Sequence, residues 1–170
     1  MKKLLLLILA ATLLLGGCYK EDPVENPVVF YYIPQEPMVE SDFHHDMSYI
    51  RSEMRDGTNL GTSLPEILTA YLQGPSADSA LRSPFPTGTK LYNVNLTQET
   101  LYITMDGSFA ELTDLDLTIA CVCLTRTCME LTDAQTVQIA AKGALLDGAE
   151  YIRLDASSVE LTDTYTDESE

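Results

Sequence analysis

The sequence predicts an α+β fold, a small two-layer domain with two helices packed on a mainly antiparallel sheet. One segment carries both the start and the stop signals of a helix, and a second apolar stretch follows a capping threonine and two acidic residues. Several short segments of alternating or β-branched residues indicate strands. About 150 residues remain after an N-terminal signal is removed, which is enough for one domain with its own core.

The first strand and the stretch after it differ in how clearly the sequence defines them. The run VVFYYI, Val28–Ile33, is β-branched and aromatic and stops at Pro34, so it predicts a strand. Residues 41–56 are polar, although apolar residues recur there at helical spacing. That stretch is either helical or irregular. The apolar residues concerned are Phe43, Met47, Ile50 and Met54.

A helix is predicted over Ser63–Gln73, SLPEILTAYLQ. Ser63 and Glu66 form a capping-box pattern, and a proline in the first turn costs no hydrogen bond. The apolar residues fall on one face at the 3.6-residue period. Gly74 can adopt the left-handed conformation that ends a helix, and Pro75 prevents its continuation.

The second half of the chain predicts a hairpin, a helix and two further strands. The helix begins after Thr113, and its apolar residues nearly encircle it, which predicts deep burial. The tail, residues 155–170, is rich in Ser, Thr, Asp and Glu, so we expect it to be disordered. The predicted elements are strands at Lys90–Leu96 and Leu101–Met105, a helix at Asp114–Arg126, and strands at Gln135–Ala141 and Tyr151–Leu154.

The N-terminus resembles an export signal. Two lysines and the apolar run LLLLILAATLLL precede Gly16-Gly17-Cys18, which predicts a signal peptide over residues 1–17. Small residues before a cysteine are typical of a lipoprotein signal, in which Cys18 would be diacylated. An ordinary cleaved signal is the alternative. Two acyl chains give stable anchoring, so we expect the extracytoplasmic face of the cell membrane, with residues 18–27 as a lipidated tether.

The chain is strongly acidic, with a formal net charge of −16. Such a surface repels nucleic acid and anionic lipid headgroups, so nucleic acid is not an expected partner. Contact with the membrane is expected through the lipid on Cys18 alone.

Three cysteines follow Cys18, namely Cys121, Cys123 and Cys128. An odd number cannot pair completely within an exported chain, so no disulfide framework is predicted. Residues two apart on a helix point roughly 200° apart, which prevents Cys121 and Cys123 from binding one ion. We predict that the three thiols pack in the core; a redox or metal role is the alternative.

The sequence predicts no catalytic residues, no metal and no cofactor. The only two histidines lie in a cluster of potential ligands, but adjacent histidines diverge on a helix or a strand, and incidental surface residues are favoured over a cation site. No nucleophile, metalloprotease or phosphate-loop motif occurs. The cluster consists of Asp42, His44, His45 and Asp46.

The stretch QGPSADSALRSPFPTGTKL, residues 73–91, is predicted to be a structural connection. Gly74 and Gly88 are too far apart for a phosphate-binding loop, and Lys90 enters a strand rather than a helix. Arg82 is left without a structural task. Arg82 and Lys90 are therefore the candidate interaction residues.

Six segments resemble the GerMN domain family: VFYYI, ILTAYLQGP, SPFPTGTKLYNV, LYITMDGSFAEL, CLT and VQIAAKG. The likeness covers residues 28–145 of a predicted domain at 28–154, although Phe85 stands at a usually aliphatic position and Cys123 at one often taken by Ser or Thr. The resemblance implies a ring-building type of α+β fold without known catalytic residues. It also implies a role in sporulation, germination or cell-envelope assembly, with envelope or spore-complex proteins, or further copies of the chain, as partners.

The function predicted from these observations is that of a lipid-anchored structural or interaction module, not an enzyme. A lipoprotein that binds a glycan, a peptide or a metal ion is the alternative. A cell-wall-processing enzyme is a further one, without a supporting motif.

Overall fold

The computed structural model describes residues 26–35 and 50–159. Several predictions lie outside these residues: the signal peptide, Cys18, most of the tether, the Asp42–Asp46 cluster and the tail from residue 160 onward. They stay predictions.

A three-stranded antiparallel sheet contains β1 at its centre. Phe30 and Tyr32 of β1 are fully buried, as expected for its aromatic sequence. The polar strand β2 pairs with β1, so the helical spacing noted in this region does not describe residues 51–56. Met54 of β2 is 60% exposed, because this strand forms by pairing with β1 rather than by burying its own side chains. The strands are β1 Pro27–Pro34, β2 Arg51–Asp56 and β3 Leu81–Arg82.

Helix α1, Leu64–Leu72, follows the prediction closely. The Glu66 carboxylate accepts hydrogen bonds from the Thr62 N–H (2.9 Å), the Ser63 N–H (3.0 Å) and the Ser63 hydroxyl (2.9 Å). At the other end, Gly74 has a φ of +94°, the left-handed conformation that ends the helix. A 3₁₀ turn at Gly57–Asn59 precedes α1.

A second sheet has the strand order β4-β5-β6-β7. Its β5–β6 pair is parallel and the other two pairs are antiparallel. The parallel pair needs a long crossover connection, which the second helix supplies after a 3₁₀ turn at Gly107–Glu111. The strands are β4 Leu91–Thr97, β5 Thr100–Met105, β6 Thr136–Ala141 and β7 Ile152–Asp155.

Helix α2, Asp114–Leu131, extends beyond the predicted end at Arg126. Thr127 and Cys128 are fully buried, and the Thr127 hydroxyl accepts a hydrogen bond from the Tyr31 N–H at 3.0 Å. Contacts with β1 therefore stabilise the last turns of the helix. The predicted deep burial of α2 is confirmed. None of the helices within the described ranges is long and apolar enough to cross a membrane.

The core consists of two clusters of buried side chains. The larger cluster joins both sheets to α1 and α2, and includes Phe30, Tyr71, Ile103, Leu124 and Ile139. The smaller cluster contains Ile33, Ile50, Val122, Cys123 and Val159. The predicted α+β class is confirmed, with the strands divided between two sheets instead of one.

The domain continues past Leu154, although the composition of residues 155–170 predicts a disordered tail. Strand β7 ends at Asp155, and a short helix α3, Ala156–Val159, follows. The Asp155 carboxylate accepts hydrogen bonds from the Ser157 hydroxyl and the Ser158 N–H, which lower its pKa to about 2. Val159 is buried in the smaller cluster, so apolar packing holds these residues in the domain despite their polar sequence.

Candidate functional site

The segment that leaves α1 and enters β4 forms one wall of a cleft of about 540 Å³. The other wall is the end of α1, with Thr69, Leu72 and Gln73. Ser83 and residues 85–91 complete the lining. The family-like Pro-x-Gly-Thr-Lys element therefore lines one side of a concave surface, opposite the end of α1.

An ion pair on β2 fixes the Gly-Pro turn at the end of α1. Arg55 Nε lies 2.5 Å from Glu53 Oε1, and Arg55 Nη2 donates to the Gly74 carbonyl at 2.6 Å. Glu53 Oε1 accepts from the Ser76 N–H (3.1 Å) and the Ser76 hydroxyl (2.9 Å). The guanidinium also lies over the Phe30 ring, 5.1 Å from its centroid, a favourable cation–π contact.

The surroundings of Glu53 decide its ionisation. Burial alone would raise the pKa of this carboxyl group, but the hydrogen bonds from Arg55 and Ser76 outweigh burial and leave the pKa below its ordinary value of 4.5. Glu53 is therefore ionised near neutral pH, and all of its recorded contacts are structural.

Asp106 fixes the backbone where the segment becomes β4. One Asp106 carboxylate oxygen accepts from the Lys90 N–H (3.1 Å) and from the Ser108 hydroxyl (2.8 Å). The Ser108 hydroxyl lies 3.2 Å from the hydroxyl of Thr89, which is almost fully buried. The Asp106 N–H in turn donates to the Lys90 carbonyl at 2.9 Å. The Gly-Thr-Lys element therefore anchors the start of the strand.

Phe85 lines the cleft and is nevertheless buried, as part of the core. Its ring packs edge-on against Tyr71, with the centroids 5.4 Å apart, and lies 6.1 Å from the Phe109 ring. An aromatic residue at this family position therefore continues a series of ring contacts that runs from β1 to Phe109 in the 3₁₀ turn after β5.

The structure separates the two predicted interaction residues. Lys90 lines the cleft with an exposed side chain. Arg82 is exposed on β3 opposite Ile33, away from the cleft lining. Neither side chain has an ion-pair partner within residues 26–35 and 50–159.

A second cleft of about 490 Å³ lies on the other side of α1 and shares Thr69 and Gln73 with the first. Arg55 lines it, a residue that the sequence analysis did not single out. The available signal was the spacing of Glu53 and Arg55, because residues two apart in a strand lie on the same face. This spacing is informative only if residues 51–56 are recognised as a strand, which the sequence did not predict.

Among residues 26–35 and 50–159, neither cleft brings together a nucleophile and a histidine base. No histidine or cysteine of these ranges lines either cleft, and Glu66, the one described acid in the second cleft, is engaged by the hydrogen bonds at the start of α1. Those hydrogen bonds hold the pKa of Glu66 below its ordinary value. The first cleft presents apolar and hydroxyl side chains with one cation, Lys90, which suits binding of an apolar or anionic group.

The three cysteines of α2 are buried, which confirms their predicted packing in the core. Cys121 belongs to the larger cluster and Cys123 to the smaller, so the two thiols lie on opposite faces of the helix. Burial raises the pKa of each to about 12 and that of Cys128 further still. Within the described part of the chain, no group of three or more His, Cys, Asp or Glu side chains is arranged to hold a metal ion.

Comparison with known proteins places this domain in a family. The sequence profile of the Germane family, described as sporulation and spore germination, matches residues 29–147. The tandem GerMN domains of the sporulation protein GerM from Bacillus subtilis share 16% identity, with a TM-score of 0.48 over 81% of this chain. The chain spans 47% of that structure, about half its length.

A second similar solved structure is that of a candidate lipoprotein from Clostridium perfringens. It shares 14% identity, with a TM-score of 0.44 over 82% of this chain and 94% of its own. No curated protein matches the chain. The family profile covers most of the chain, from β1 through β6, and confirms the resemblance found in the sequence. The chain therefore belongs to the Germane family of sporulation and spore germination domains.

Proposed function

We propose that this chain is a lipid-anchored, extracytoplasmic structural and interaction module of a sporulation, germination or cell-envelope assembly. The observation that carries the proposal is the family match over residues 29–147, which spans both clefts beside α1. Among the described residues that line these clefts, Arg55 and Glu66 hold neighbouring backbone, and Lys90 is an exposed cation. Such surfaces suit the binding of a partner better than they suit catalysis.

The non-enzymatic part of the proposal depends on the positions of the reactive groups. The described thiols are buried and protonated, since burial raises their pKa values. Asp106, Glu53 and Glu66 each accept several hydrogen bonds that hold neighbouring backbone. General acid–base chemistry needs a group that can reach a substrate and change its protonation state. These acids instead have structural tasks.

The location in the proposal comes from the N-terminal sequence. A basic start, an apolar run and Gly16-Gly17-Cys18 support lipidation of Cys18, and two acyl chains would hold the domain at the membrane. The net charge of −16 disfavours nucleic acid and anionic headgroups, so the expected partners are envelope or spore-complex proteins or further copies of the chain.

Arg82 and Lys90 are the proposed contact residues of the module. Both are exposed cations in an acidic chain, and both lie on the segment that carries the family-like elements. Lys90 lines the first cleft and Arg82 does not. Substitution of Lys90 should therefore affect different contacts from substitution of Arg82.

The location is tested by membrane fractionation of the tagged chain and its Cys18→Ala variant. The original chain should remain with the membrane through a high-salt wash, and the variant should lose this association. Equal retention of the two chains would contradict lipid anchoring.

The interaction role is tested by crosslinking in the cell. A photoreactive amino acid is placed at Lys90, at Arg82 or, as a control, at Leu115, an exposed site in the first turn of α2. Specific adducts at position 90 or 82, together with a sporulation, germination or envelope defect on deletion, would support the proposal. Adducts equal to those at 115, with no defect, would contradict it. Hydrolysis of purified peptidoglycan by the chain would contradict its non-enzymatic part.

A further inference from the structure

The described strands leave four sheet edges, and three of them carry features that discourage pairing with another chain. Natural proteins protect edges with charge, short strands or a bulge. Strand β2 has four charged residues among its six, in the sequence RSEMRD. Strand β3 has only two residues, and β7 has four, two of them charged.

The fourth edge, β4, has neither the charge nor the shortness that protects the other three. Its seven residues, LYNVNLT, contain no charge and no proline. An irregularity at Tyr92 shifts the register near its start, but Asn93–Thr97 pairs regularly with Thr100–Thr104. A long, uncharged and regular edge is the kind that accepts a further strand.

Within residues 26–35 and 50–159, the backbone of this edge has no hydrogen-bond partner on its outer side. Alternate residues of an edge strand direct their N–H and C=O groups away from the sheet. Among the described residues, Asn93–Thr97 makes backbone hydrogen bonds to β5 and to no other segment. These groups are therefore available for a ladder with an added strand.

The side chains of β4 specify the pattern that an added strand should have. Val94 and Leu96 lie opposite the buried residues Ile103 and Leu101, on the core side of the sheet. Leu96 is nevertheless 45% exposed, because the hydrophobic core does not extend over this end of β4. A neighbouring strand would cover Leu96 with an apolar side chain, while its alternate residues would lie beside Asn93 and Asn95 and should be polar.

Electrostatics favours one kind of occupant. Two copies of the chain carry a formal charge of −16 each and repel one another. The chain's own segments outside the structure after β1, residues 36–49 and 160–170, contain acids and no lysine or arginine. A basic segment of another protein is attracted by the same net charge, and the cations near β4, Lys90 and Lys142, lie at the start of the strand rather than along its regular part, Asn93–Thr97.

We propose that β4 is a docking edge for an extended, basic segment of another protein, which adds to the sheet as a strand with alternating apolar and polar residues. This inference rests on the proposed interaction function and names the surface and the chemistry of the partner.

The test is hydrogen exchange measured by mass spectrometry on the full chain in detergent. The probe is a synthetic peptide with the length of β4, Lys-Val-Thr-Val-Lys-Val-Thr, at millimolar concentration. We expect exchange in residues 91–97 to slow at least tenfold, with no change in 152–155 of β7. A peptide with glutamate in place of lysine, and one with proline at its centre, should give little protection.

Two variants and one control test whether the edge itself binds. Leu96→Lys and Asn95→Lys place a charge on the exposed edge and should each abolish most of the protection. Tyr102→Lys is the control. It introduces the same charge opposite Asn95 on the inner strand β5, and this variant should retain the protection by the peptide. Hydrogen exchange of each variant without peptide, compared with that of the original chain, shows whether the variant has folded.

Four results would overturn the inference. They are the absence of protection, equal protection by the basic and acidic peptides, slow exchange of β4 in the chain alone, and slow exchange that appears only at high protein concentration. The last two would assign the edge to another segment of the chain or to a second copy. A negative result here leaves the crosslinking test at Lys90 and Arg82 unaffected, so failure of this inference is distinguishable from failure of the proposed function.

Discussion

At the scale of single residues, Arg55 connects more parts of the molecule than its position on a polar strand suggests. Its guanidinium contacts Glu53, the Gly74 carbonyl and the Phe30 ring. Both side chains of the ion pair are largely buried, at 16% and 12% exposed, so the pair is more protected from solvent than a typical surface ion pair. Arg55 thereby links β2 to the end of α1.

The substitution Arg55→Met should lower the free energy of unfolding by about 1–3 kcal/mol, because charge-assisted hydrogen bonds are lost and Glu53 loses its counter-ion. Chemical denaturation monitored by circular dichroism measures the change. Arg82→Met is the matched control, since its exposed side chain has no ion pair within the described ranges, and it should change stability by less than about 0.5 kcal/mol. Equal effects of the two substitutions would contradict the structural role of Arg55.

The contribution of Glu53 should depend on pH. Its pKa in the folded chain lies below the ordinary 4.5, so the folded state binds this proton less readily than the unfolded state does. The resulting stabilisation is fully present above pH 4.5 and is lost as the pH falls through the folded pKa. The stability difference between the original chain and Glu53→Gln should therefore shrink on acidification from pH 7. Urea titrations at several pH values measure it, and a difference independent of pH would contradict this account.

At the scale of elements, local sequence signals predicted α1. Strand β2 and the end of α2 depend instead on contacts between residues far apart in the sequence. Ser63, Glu66 and Gly74 mark the ends of α1, and the helix lies between them. Strand β2 has no such signal, because it forms by pairing with β1 and exposes most of its side chains. The end of α2 depends on contacts with β1, including that between Thr127 and Tyr31, which no local pattern contains.

The sequence predicted the candidate site only in part, because the positions of its residues also depend on strand pairing. Lys90 and Arg82 were identified as exposed cations on a structural segment, but their separation depends on β3 pairing with β1. The role of Arg55 at the second cleft depends on β2, so the sequence alone could not place it there.

The cap of α1 should contribute measurably to stability. Ser63→Ala removes a hydroxyl that contacts Glu66 at the helix start, and we expect a loss of about 1 kcal/mol. Thr113→Ala is the matched comparison, because Thr113 precedes α2 without a side-chain capping bond, and its loss should be smaller. Thermal unfolding of the two variants provides the measurement, and a larger loss at Thr113 would show that this reasoning is wrong.

At the scale of the whole molecule, the positions of the thiols provide a test of lipidation. Burial raises the pKa of Cys121 and Cys123 to about 12, so these thiols are protonated and inaccessible in the folded chain. A chain lipidated on Cys18 should show no reactive thiol when folded and three when unfolded. A chain produced without lipidation should show one reactive thiol when folded, and Ellman's reagent at pH 8 counts them. A reactive thiol in the folded, membrane-extracted chain would contradict either the burial or the lipidation.

Because α2 contributes buried side chains to two separate core clusters, we expect the smaller cluster to open more readily than the larger one. Val159, Cys123 and Ile33 belong to a small group of buried residues, whereas β5 and β6 belong to the large one. Fluctuations that release the last helix would expose only the small group and leave the large group closed. Amide protons near the C-terminus should therefore report a lower opening free energy than those of β5, so that end of the domain can rearrange without global unfolding.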